Sequence, residues 1–363
     1  QLHPDALRIC IMSGSFVQRG EPAIFSKFDR ARWAILGGAD IVIELPTLYS
    51  TGSAQLFGTG AVRMVKALAI DALSFGSETA DLNALINIAK HMDCESTQEQ
   101  LRTYINEGMS YGTAFRKALH TEILNTPNAL LGLEYIRAGL AYNPKLQYIS
   151  ILRTSNHHEE SITDELPSGT ALRQLITSTG VLSSKCITST GDLSSKCITS
   201  TGNLAAQLQS TIPSSIASDM TQVIENGNYL NYNRYHDMVH SLSRRTTPKE
   251  LEKFGDFSEG IEHLWSKAAQ QCSWTTATKE IKSKRYTYAR LQRMGAYLTL
   301  GITKDVLQNA MEEGPQYARL LAFNDRGRQW LRNEYEIPLI QKWAKAPNEL
   351  SALGETMHHI DTL

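Results

Sequence analysis

Ile-Cys-Ile-Met-Ser-Gly-Ser-Phe-Val-Gln-Arg-Gly-Glu-Pro-Ala, at Ile9–Ala23, is the stretch of this chain that decides its fold. A short apolar run ends at Ser13 and Gly14, and a polar loop that carries Arg19 and Glu21 follows. Buried parallel strands deliver binding loops at their carboxyl ends, where α/β sheets hold ligands. The stretch therefore predicts a parallel strand with Ser13 and Gly14 at the ligand edge of a sheet.

Strand-like and helix-like segments alternate through the first half of the chain. Compact apolar runs predict strands, and longer segments with helical periodicity lie between them. The predicted strands are Arg8–Met12, Asp40–Leu45, Ala72–Phe75 and Leu146–Leu152. Strands separated by helices favour an α/β fold with a doubly wound parallel sheet of the Rossmann-like kind.

Polar or glycine residues follow three of these strands. They are Ser13-Gly14, Glu44 before a proline, and Gly76-Ser77-Glu78. Glycine and serine also make ordinary tight turns after strands, so each end alone favours a turn. Because parallel strands end at one edge of a sheet, the three ends together favour a ligand site.

Composition narrows the class of protein. The chain has 363 residues, 42% of them hydrophobic, and a formal net charge of −1. This length suggests two or three domains, and the neutral balance excludes a wholly basic protein but not a local basic patch. Five scattered cysteines without a C-x-x-C pair, and the absence of an apolar run long enough to span a membrane, favour a cytoplasmic protein.

An eleven-residue direct repeat, Ile-Thr-Ser-Thr-Gly-x-Leu-Ser-Ser-Lys-Cys, lies between residues 176 and 208. Its Ser, Thr and Gly content predicts a surface insert and not a β-solenoid. Helical patterns dominate after it. We therefore predict an α/β domain over residues 1–178, an insert over 179–208 and a mainly α-helical domain over 209–363.

Two segments are candidates for phosphate binding. Ser168 and Thr170 precede a predicted helix, and Arg173 lies one turn later. Hydroxyls and unpaired amides at a helix start bind anions, although an ordinary N-cap has the same composition. Arg153, at the predicted end of a strand, is the second candidate.

A basic run near the end of the chain combines cations with aromatic rings and contains no acidic residue. Positive charge interleaved with tyrosine suits an RNA backbone and unstacked bases. The alternative is a basic helix start that is solvated or paired with carboxylates from elsewhere in the fold. The candidate RNA-binding residues are Lys282, Lys284, Arg285, Tyr286, Arg290 and Arg293.

The sequence contains no Walker A loop, H-E-x-x-H, G-x-S-x-G or zinc-like cysteine cluster. No side chain is therefore a candidate for a covalent nucleophile. His157 and His158 are adjacent, and neighbouring side chains rarely point to one centre, so we predict no metal site.

These motifs together resemble the bacterial tRNA(Met) cytidine acetate ligases, a family of the HxGH nucleotidyltransferase superfamily. The likeness runs through nearly the whole chain. The matching stretches are Met12–Ala23, Gly38–Pro46, Phe75–Glu78, Pro127–Tyr135, Ser168–Arg173 and Lys284–Thr287.

The resemblance implies which residues contact ATP. By motif position these are Gly76, Asn128 and Arg153, with Ser13 and Gly14 facing the nucleotide. The family often has two asparagines where this chain has Asn128 followed by alanine. The segment containing Ser168, Thr170 and Arg173 looks like the superfamily's phosphate motif, with glycine at its second position as a departure.

The family's HxGH motif occurs nowhere in the 363 residues. We expect that this chain begins after that motif, because its first residues match the segment just beyond it. The histidines of the motif would stabilise charge that develops on the α-phosphate.

The resemblance also implies a reaction and its partners. Acetate and ATP form acetyl-adenylate, with Mg²⁺ on the leaving pyrophosphate, and the wobble cytidine of elongator tRNA(Met) takes the acetyl group. Residues 1–178 would bind ATP and residues 209–363 would bind tRNA, with neither DNA nor a membrane as partner. Two alternatives remain open: an adenylyltransferase for a small phosphorylated acceptor, and a non-catalytic RNA-binding protein.

Overall fold

A computed structural model of the protein describes residues 3–79, 81–109, 111–121, 126–153, 172–174, 176–177, 206, 208–283, 285–342 and 350–363. The repeat insert falls almost entirely outside these residues. Ser168, Thr170, Lys284 and the histidine pair also lie outside them.

The first half of the chain alternates strands and helices, as predicted. Its elements are β1 (Ile9–Ser13), β2 (Phe16–Val17), β3 (Glu21–Pro22), α1 (Lys27–Leu36), β4 (Ile41–Leu45), α2 (Thr47–Ser50), α3 (Ala54–Ala67), β5 (Ala72–Ser77), α4 (Leu82–Met92), α5 (Glu95–Asn106), α6 (Tyr111–Ala118), α7 (Pro127–Tyr142) and β6 (Gln147–Leu152).

The second half is mainly helical. Its elements are α8 (Ser214–Glu225), α9 (Tyr232–Arg245), α10 (Pro248–Leu251), α11 (Ile261–Ala268), α12 (Trp274–Ile281), α13 (Tyr288–Leu300), α14 (Lys304–Glu313), β7 (Ala318–Phe323), α15 (Asp325–Trp330), β8 (Leu339–Ile340) and α16 (Ala352–Thr362).

Two parallel strand pairs form the α/β part of the fold. β1 pairs with β4, so that Ser13 lies beside Leu45 at their carboxyl ends. β5 pairs with β6, so that Ser77 lies beside Leu152. The α/β class and the parallel pairing are thereby confirmed. The three strand ends predicted to share one edge are divided between two sheets, because among the described residues β5 and β6 pair only with each other and not with β1 or β4.

The larger sheet differs from the expected wholly parallel one. Its order is β1-β4-β7-β8, and β7 runs antiparallel to β4. Residues 317–330 lie in the part predicted to be mainly helical, but they contain the strand β7 as well as the helix α15. The short apolar run of β7 consists mainly of leucine, alanine and phenylalanine, which are compatible with a helix or a strand. It forms a strand because it pairs with the buried strand β4.

Helix α3 joins the two strand pairs. Val62 and Val65 on this helix share an apolar cluster with Ile11 of β1 and Leu73 of β5. Parallel pairs are usually connected by such helices packed on the sheet face. Both strand pairs are therefore held on the same helical layer.

The largest core cluster joins the helical half to the α/β half. It contains Trp265, Trp274 and Tyr297 from the helices together with Leu45 and Tyr49 from the first half. The domain boundaries at 178 and 208 stay a prediction, because the parts on either side of them share this core. Within the described part of the chain, no helix combines the length and apolar character needed to cross a membrane.

Candidate active site

Gly76 and Arg153 meet at the carboxyl end of β5 and β6. The Arg153 backbone amide donates to the Ser77 carbonyl at 2.9 Å, and a Cβ on Gly76 would lie 3.4 Å from Arg153 Cγ. Arg153 Nε is buried and makes no hydrogen bond among the described residues. Buried donors are normally paired, so an unpaired charged donor at this strand end makes Arg153 a candidate for contact with an anionic group.

Glu78 organises the other side of this strand end. Its carboxylate accepts hydrogen bonds from Asn128 Nδ2 at 2.5 Å and from the Ala129 amide at 3.1 Å, at the start of α7. Burial raises the pKa of Glu78, but the hydrogen bonds from Asn128, Thr126 and Ala129 outweigh this effect and hold it below its usual value. Glu78 therefore fixes the orientation of the Asn128 amide at this strand end.

Ser13 and Gly14 form a similar turn at the end of β1. Arg30 of α1 donates to the Ser13 carbonyl at 2.9 Å and to the Gly14 carbonyl. A Cβ on Gly14 would lie 2.1 Å from Oε1 of Glu44, the penultimate residue of β4. The turn is thus fitted against a buried carboxylate, and only glycine leaves the required space.

Glu44 belongs to a buried ionic network at the end of β4. Lys27 Nζ lies 2.7 Å from Glu44 Oε1 and donates to the Asp361 carbonyl at 2.9 Å. Asp361 accepts from the Tyr317 hydroxyl at 2.6 Å, and Arg319 lies 3.5 Å from Glu44 Oε2. The network fastens the last helix, α16, to the strand end.

The network predicts a pH-dependent stability. Burial, and next the negative charge of Asp361, raise the pKa of Glu44 to about 7 from 4.5, although Lys27 lowers it. The folded state therefore holds a proton that the unfolded state releases, and the free energy of unfolding should fall as pH rises from about 4.5 to 7. The loss is on the order of 3 kcal/mol at most.

Urea denaturation at a series of pH values measures this effect, with Glu44→Gln as its control. The glutamine has no proton to release, so the variant should show a shallower decline over the same interval. Equal slopes for the two proteins would exclude Glu44 as the source.

The β2–β3 hairpin lies against α13. Gly20 has φ +75°, and a Cβ on it would lie 2.2 Å from the Arg293 backbone nitrogen. Gln292 donates to the Glu21 carboxylate, and the Tyr232 hydroxyl donates to the Pro22 carbonyl at 3.1 Å. The loop that follows β1 is therefore fixed to the helix that carries part of the basic run.

Arg173 lies beside this hairpin. Burial lowers the pKa of Arg173, the positive charge of Arg19 lowers it further, and Tyr232 and Glu21 raise it. Burial raises the pKa of Glu21, and the positive charges of Arg19 and Arg173 offset only part of this rise. The predicted phosphate residue Arg173 thus joins the hairpin group, whereas Gly76, Asn128 and Arg153 gather at the end of β5 and β6.

The basic run is partly paired with carboxylates from the loop before α11. Arg293 lies 3.2 Å from Asp256, and Arg285 lies 2.7 Å from Glu259. Asp256 and Glu259 have φ values of 62° and 64°, which residues other than glycine rarely adopt. Arg290 donates to the Asp256 carbonyl at 3.0 Å. Pairing with distant carboxylates, the alternative left open by the sequence, therefore holds for Arg285 and Arg293.

The two tyrosines of the run have different environments. Tyr286 is buried, with the Arg290 guanidinium 5.2 Å from its ring centre, and forms part of the main core. Tyr288 is 44% exposed, with Lys282 Nζ 5.4 Å from its ring centre. The ring of Tyr288 is therefore accessible at the surface, whereas the ring of Tyr286 packs in the core.

Three residues with a role in the site were not among the predicted site residues. The sequence places Glu78 and Glu44 at strand ends without marking them as ligand contacts, and it does not single out Gln292. A carboxylate directly after Gly76-Ser77 was the available signal for Glu78. Nothing in the sequence pattern links Gln292 to Glu21, which lie 271 positions apart.

The α/β fold is that of a nucleotidyl transferase, and the chain belongs to the HIGH Nucleotidyl Transferase family, whose sequence profile matches residues 1–363. Among its relatives are two tRNA(Met) cytidine acetate ligases. The chain is 32% identical to that of Acetivibrio thermocellus, over 92% of this chain and 80% of the relative. It is 29% identical to that of Lysinibacillus sphaericus, over 95% of this chain and 84% of the relative.

Two crystal structures of Thermotoga maritima TmcAL are similar to this fold. The apo structure superposes with a TM-score of 0.84 at 25% identity, over 97% of this chain and 85% of that chain. The structure bound with alpha-thio ATP gives a TM-score of 0.83 at 25% identity, over 97% and 84%.

Proposed function

We propose that this protein is an ATP-dependent ligase that acetylates N4 of the wobble cytidine of elongator tRNA(Met). The observation that carries the proposal is the group of Gly76, Asn128 and Arg153 at a parallel strand end. It occurs in a chain whose relatives over nine tenths of its length are tRNA(Met) cytidine acetate ligases.

The proposed reaction has two steps. A carboxylate oxygen of acetate forms a bond to the α-phosphorus of ATP, and the bond to the pyrophosphate oxygen breaks. The exocyclic amine of cytidine then forms a bond to the acetyl carbon, loses a proton and releases AMP. Neither step needs a covalent protein nucleophile, in agreement with the absence of such a motif from the sequence.

The residues at the end of β5 and β6 fit a nucleotide. Arg153 Nε is buried without a hydrogen-bond partner among the described residues, and a phosphate oxygen is the acceptor that its charge favours. Gly76 leaves room beside it that a side chain would fill. Asn128, oriented by Glu78, supplies an amide for a polar contact.

The other predicted nucleotide contacts stay proposals. Ser13 and Gly14 present a turn at a second strand end, and Arg173 supplies positive charge beside the hairpin. Mg²⁺ would enter with the triphosphate and neutralise the leaving pyrophosphate. Among the described residues no group of three or more His, Cys, Asp or Glu side chains could hold such an ion by itself.

The helical half is the proposed tRNA-binding part, with the run from Lys282 to Arg293 as its centre. Cations beside an exposed ring match the requirements of an unstacked nucleotide and its phosphates. We place the protein in the cytoplasm, where its tRNA substrate is found.

Replacing Tyr288 with alanine should weaken tRNA binding by about fivefold to a hundredfold, because stacking on an aromatic ring contributes about 1–3 kcal/mol per base. ATP affinity should not change. Filter binding at fixed salt measures the first effect, and nucleotide titration measures the second.

Tyr142→Ala is the matched control for this variant. Tyr142 is also an exposed tyrosine, with the Arg63 guanidinium 5.0 Å from its ring centre, but it lies at the end of α7 outside the basic run. Equal losses of tRNA affinity in both variants would contradict a specific role for Tyr288.

Pyrophosphate exchange tests the first step. The protein expressed from its complete reading frame should return labelled pyrophosphate to ATP only when acetate is present. Exchange that depends on a small phosphorylated acceptor would support the alternative adenylyltransferase. No exchange with either compound, despite tRNA binding, would support a non-catalytic RNA-binding protein.

A further inference from the structure

Glu78 and Asn128 form a hydrogen-bonded pair at the carboxyl end of β5. Glu78 directly follows the strand, and its Oε1 accepts from Asn128 Nδ2 at 2.5 Å. Its Oε2 accepts from the Ala129 amide at 3.1 Å. Both carboxylate oxygens therefore bind donors from the first turn of α7, and Glu78 acts on the helix start where Asn128 lies.

The charge of Glu78 decides which way the Asn128 amide faces. Although burial raises the pKa of Glu78, hydrogen bonds that include those from Asn128 and Ala129 hold it below its usual value, so the carboxyl is ionised at neutral pH. An ionised carboxylate only accepts hydrogen bonds and must face the amide nitrogen. Asn128 Oδ1 is thereby turned away from Glu78, and it makes no hydrogen bond with another described residue.

Arg153 supplies a donor at the same strand end. Its backbone amide donates at 2.9 Å to the carbonyl of Ser77, the neighbour of Glu78 in sequence, and its buried Nε has no hydrogen-bond partner among the described residues. A phosphate oxygen can accept from Arg153. Asn128 Oδ1 cannot donate to a phosphate, and the negative charge of Glu78 beside it repels one. Asn128 therefore suits the nucleoside part of a nucleotide, which carries neutral donors.

We propose that Glu78 is a positioning residue that makes Asn128 bind a hydrogen-bond donor on the nucleoside of ATP. Two groups supply such a donor: the 6-amino group of adenine and a hydroxyl of the ribose. Glu78 would thereby orient the nucleotide with its phosphates toward Arg153, and it would take no part in the chemistry. The inference rests on the proposed function for the presence of ATP at this strand end.

Nucleotide titrations of the protein expressed from its complete reading frame distinguish the two donors. Inosine triphosphate has an oxygen in place of the adenine amine, and 2′-deoxy-ATP and 3′-deoxy-ATP each lack one ribose hydroxyl. An analogue that leaves the acceptor unmatched should bind about fivefold to a hundredfold more weakly than ATP. Weak binding of inosine triphosphate alone would identify the amine, and weak binding of one deoxynucleotide alone would identify a hydroxyl. Equal binding of all four nucleotides would overturn the proposal.

Glu78→Gln tests the positioning role. A glutamine side chain both donates and accepts, so the Asn128 amide can then adopt either orientation. The preference for ATP over the weakly bound analogue should therefore fall to about threefold or less. General damage to the fold would weaken both nucleotides equally and would not change their ratio. An unchanged ratio in Glu78→Gln would overturn the proposal.

Asn128→Ala removes the acceptor itself and should cause the same loss of preference. Because Glu78 acts through Asn128, Glu78→Gln should not change the ratio further in the Asn128→Ala background. A further change there would mean that Glu78 contacts the nucleotide directly, and it would overturn the positioning role. The matched control is Glu99→Gln, which removes an exposed carboxylate from α5 and should keep the affinity and the ratio of the wild type.

The outcomes also separate this proposal from the proposed function. A protein that shows the expected nucleotide preference but forms no acetylcytidine would support the role of Glu78 and overturn the function. A protein that forms acetylcytidine with an unchanged ratio in Glu78→Gln would support the function and overturn the role of Glu78. A wild-type protein that binds none of the nucleotides would overturn both.

Discussion

Replacing Arg153 with glutamine should weaken ATP binding by about tenfold to a hundredfold, because a hydrogen bond to a charged group contributes about 1.5–3 kcal/mol. Its Nε is buried and has no hydrogen-bond partner among the described residues, so removing this nitrogen breaks no hydrogen bond of the described fold. Acetate-dependent pyrophosphate exchange should fall with the affinity. Titration with ATP and urea denaturation measure the two effects separately.

Lys145→Gln is the control for charge. This exposed lysine lies just before the amino end of β6, whereas Arg153 follows its carboxyl end. The control should bind ATP like the wild type. If Arg153→Gln binds ATP normally, or if both variants lose affinity equally, the nucleotide is not held at the carboxyl end of this strand.

Replacing Gly14 with alanine should reduce the free energy of unfolding by about 3 kcal/mol, since overpacking a buried site forces its neighbours to move. The new Cβ would lie 2.1 Å from Glu44 Oε1 and 3.0 Å from its Cδ. Glu44 would have to leave Lys27, and a buried charge that loses its partner is costly. Urea denaturation measures the loss.

Two comparisons test the cause of that loss. Gly112→Ala places the same methyl group in α6, where nothing lies within 4 Å of it, and should be neutral or slightly stabilising. Gly14→Ala should also cost much less in a Glu44→Ala background, because the clashing carboxylate is then absent. Equal costs in the two backgrounds would contradict a clash with Glu44.

The position of Gly76 and Arg153 at one strand end was predictable because it follows from the sequence of strands and turns along the chain. Gly76 ends an apolar run, Arg153 follows the next predicted strand, and parallel pairing brings the two ends together. Asn128 depended on resemblance to a family, since its position at the start of α7 gives no pattern of its own.

Other parts of the site depend on contacts between distant segments. Spacing could not distinguish Tyr286 from Tyr288, because packing of the helical half buries one ring and exposes the other. Arg293 and Arg285 are paired by Asp256 and Glu259, which belong to another loop.

The ionic network at Glu44 could not be predicted from the sequence, because its members come from distant segments of the chain. Asp361 contributes to it from the last helix, and its backbone carbonyl accepts from Lys27 across 334 positions of sequence. Strand β7 could not be predicted because its apolar residues are compatible with a strand or a helix. Its pairing with β4 is what makes it a strand.

The most direct test of the central claim is transfer of isotopically labelled acetate to tRNA(Met). The protein expressed from its complete reading frame is incubated with ATP, labelled acetate and the tRNA, and the nucleosides are analysed by mass spectrometry. We predict labelled N4-acetylcytidine at the wobble position, dependent on ATP and strongly reduced in Arg153→Gln. Unmodified cytidine after incubation with the wild-type protein would contradict the account.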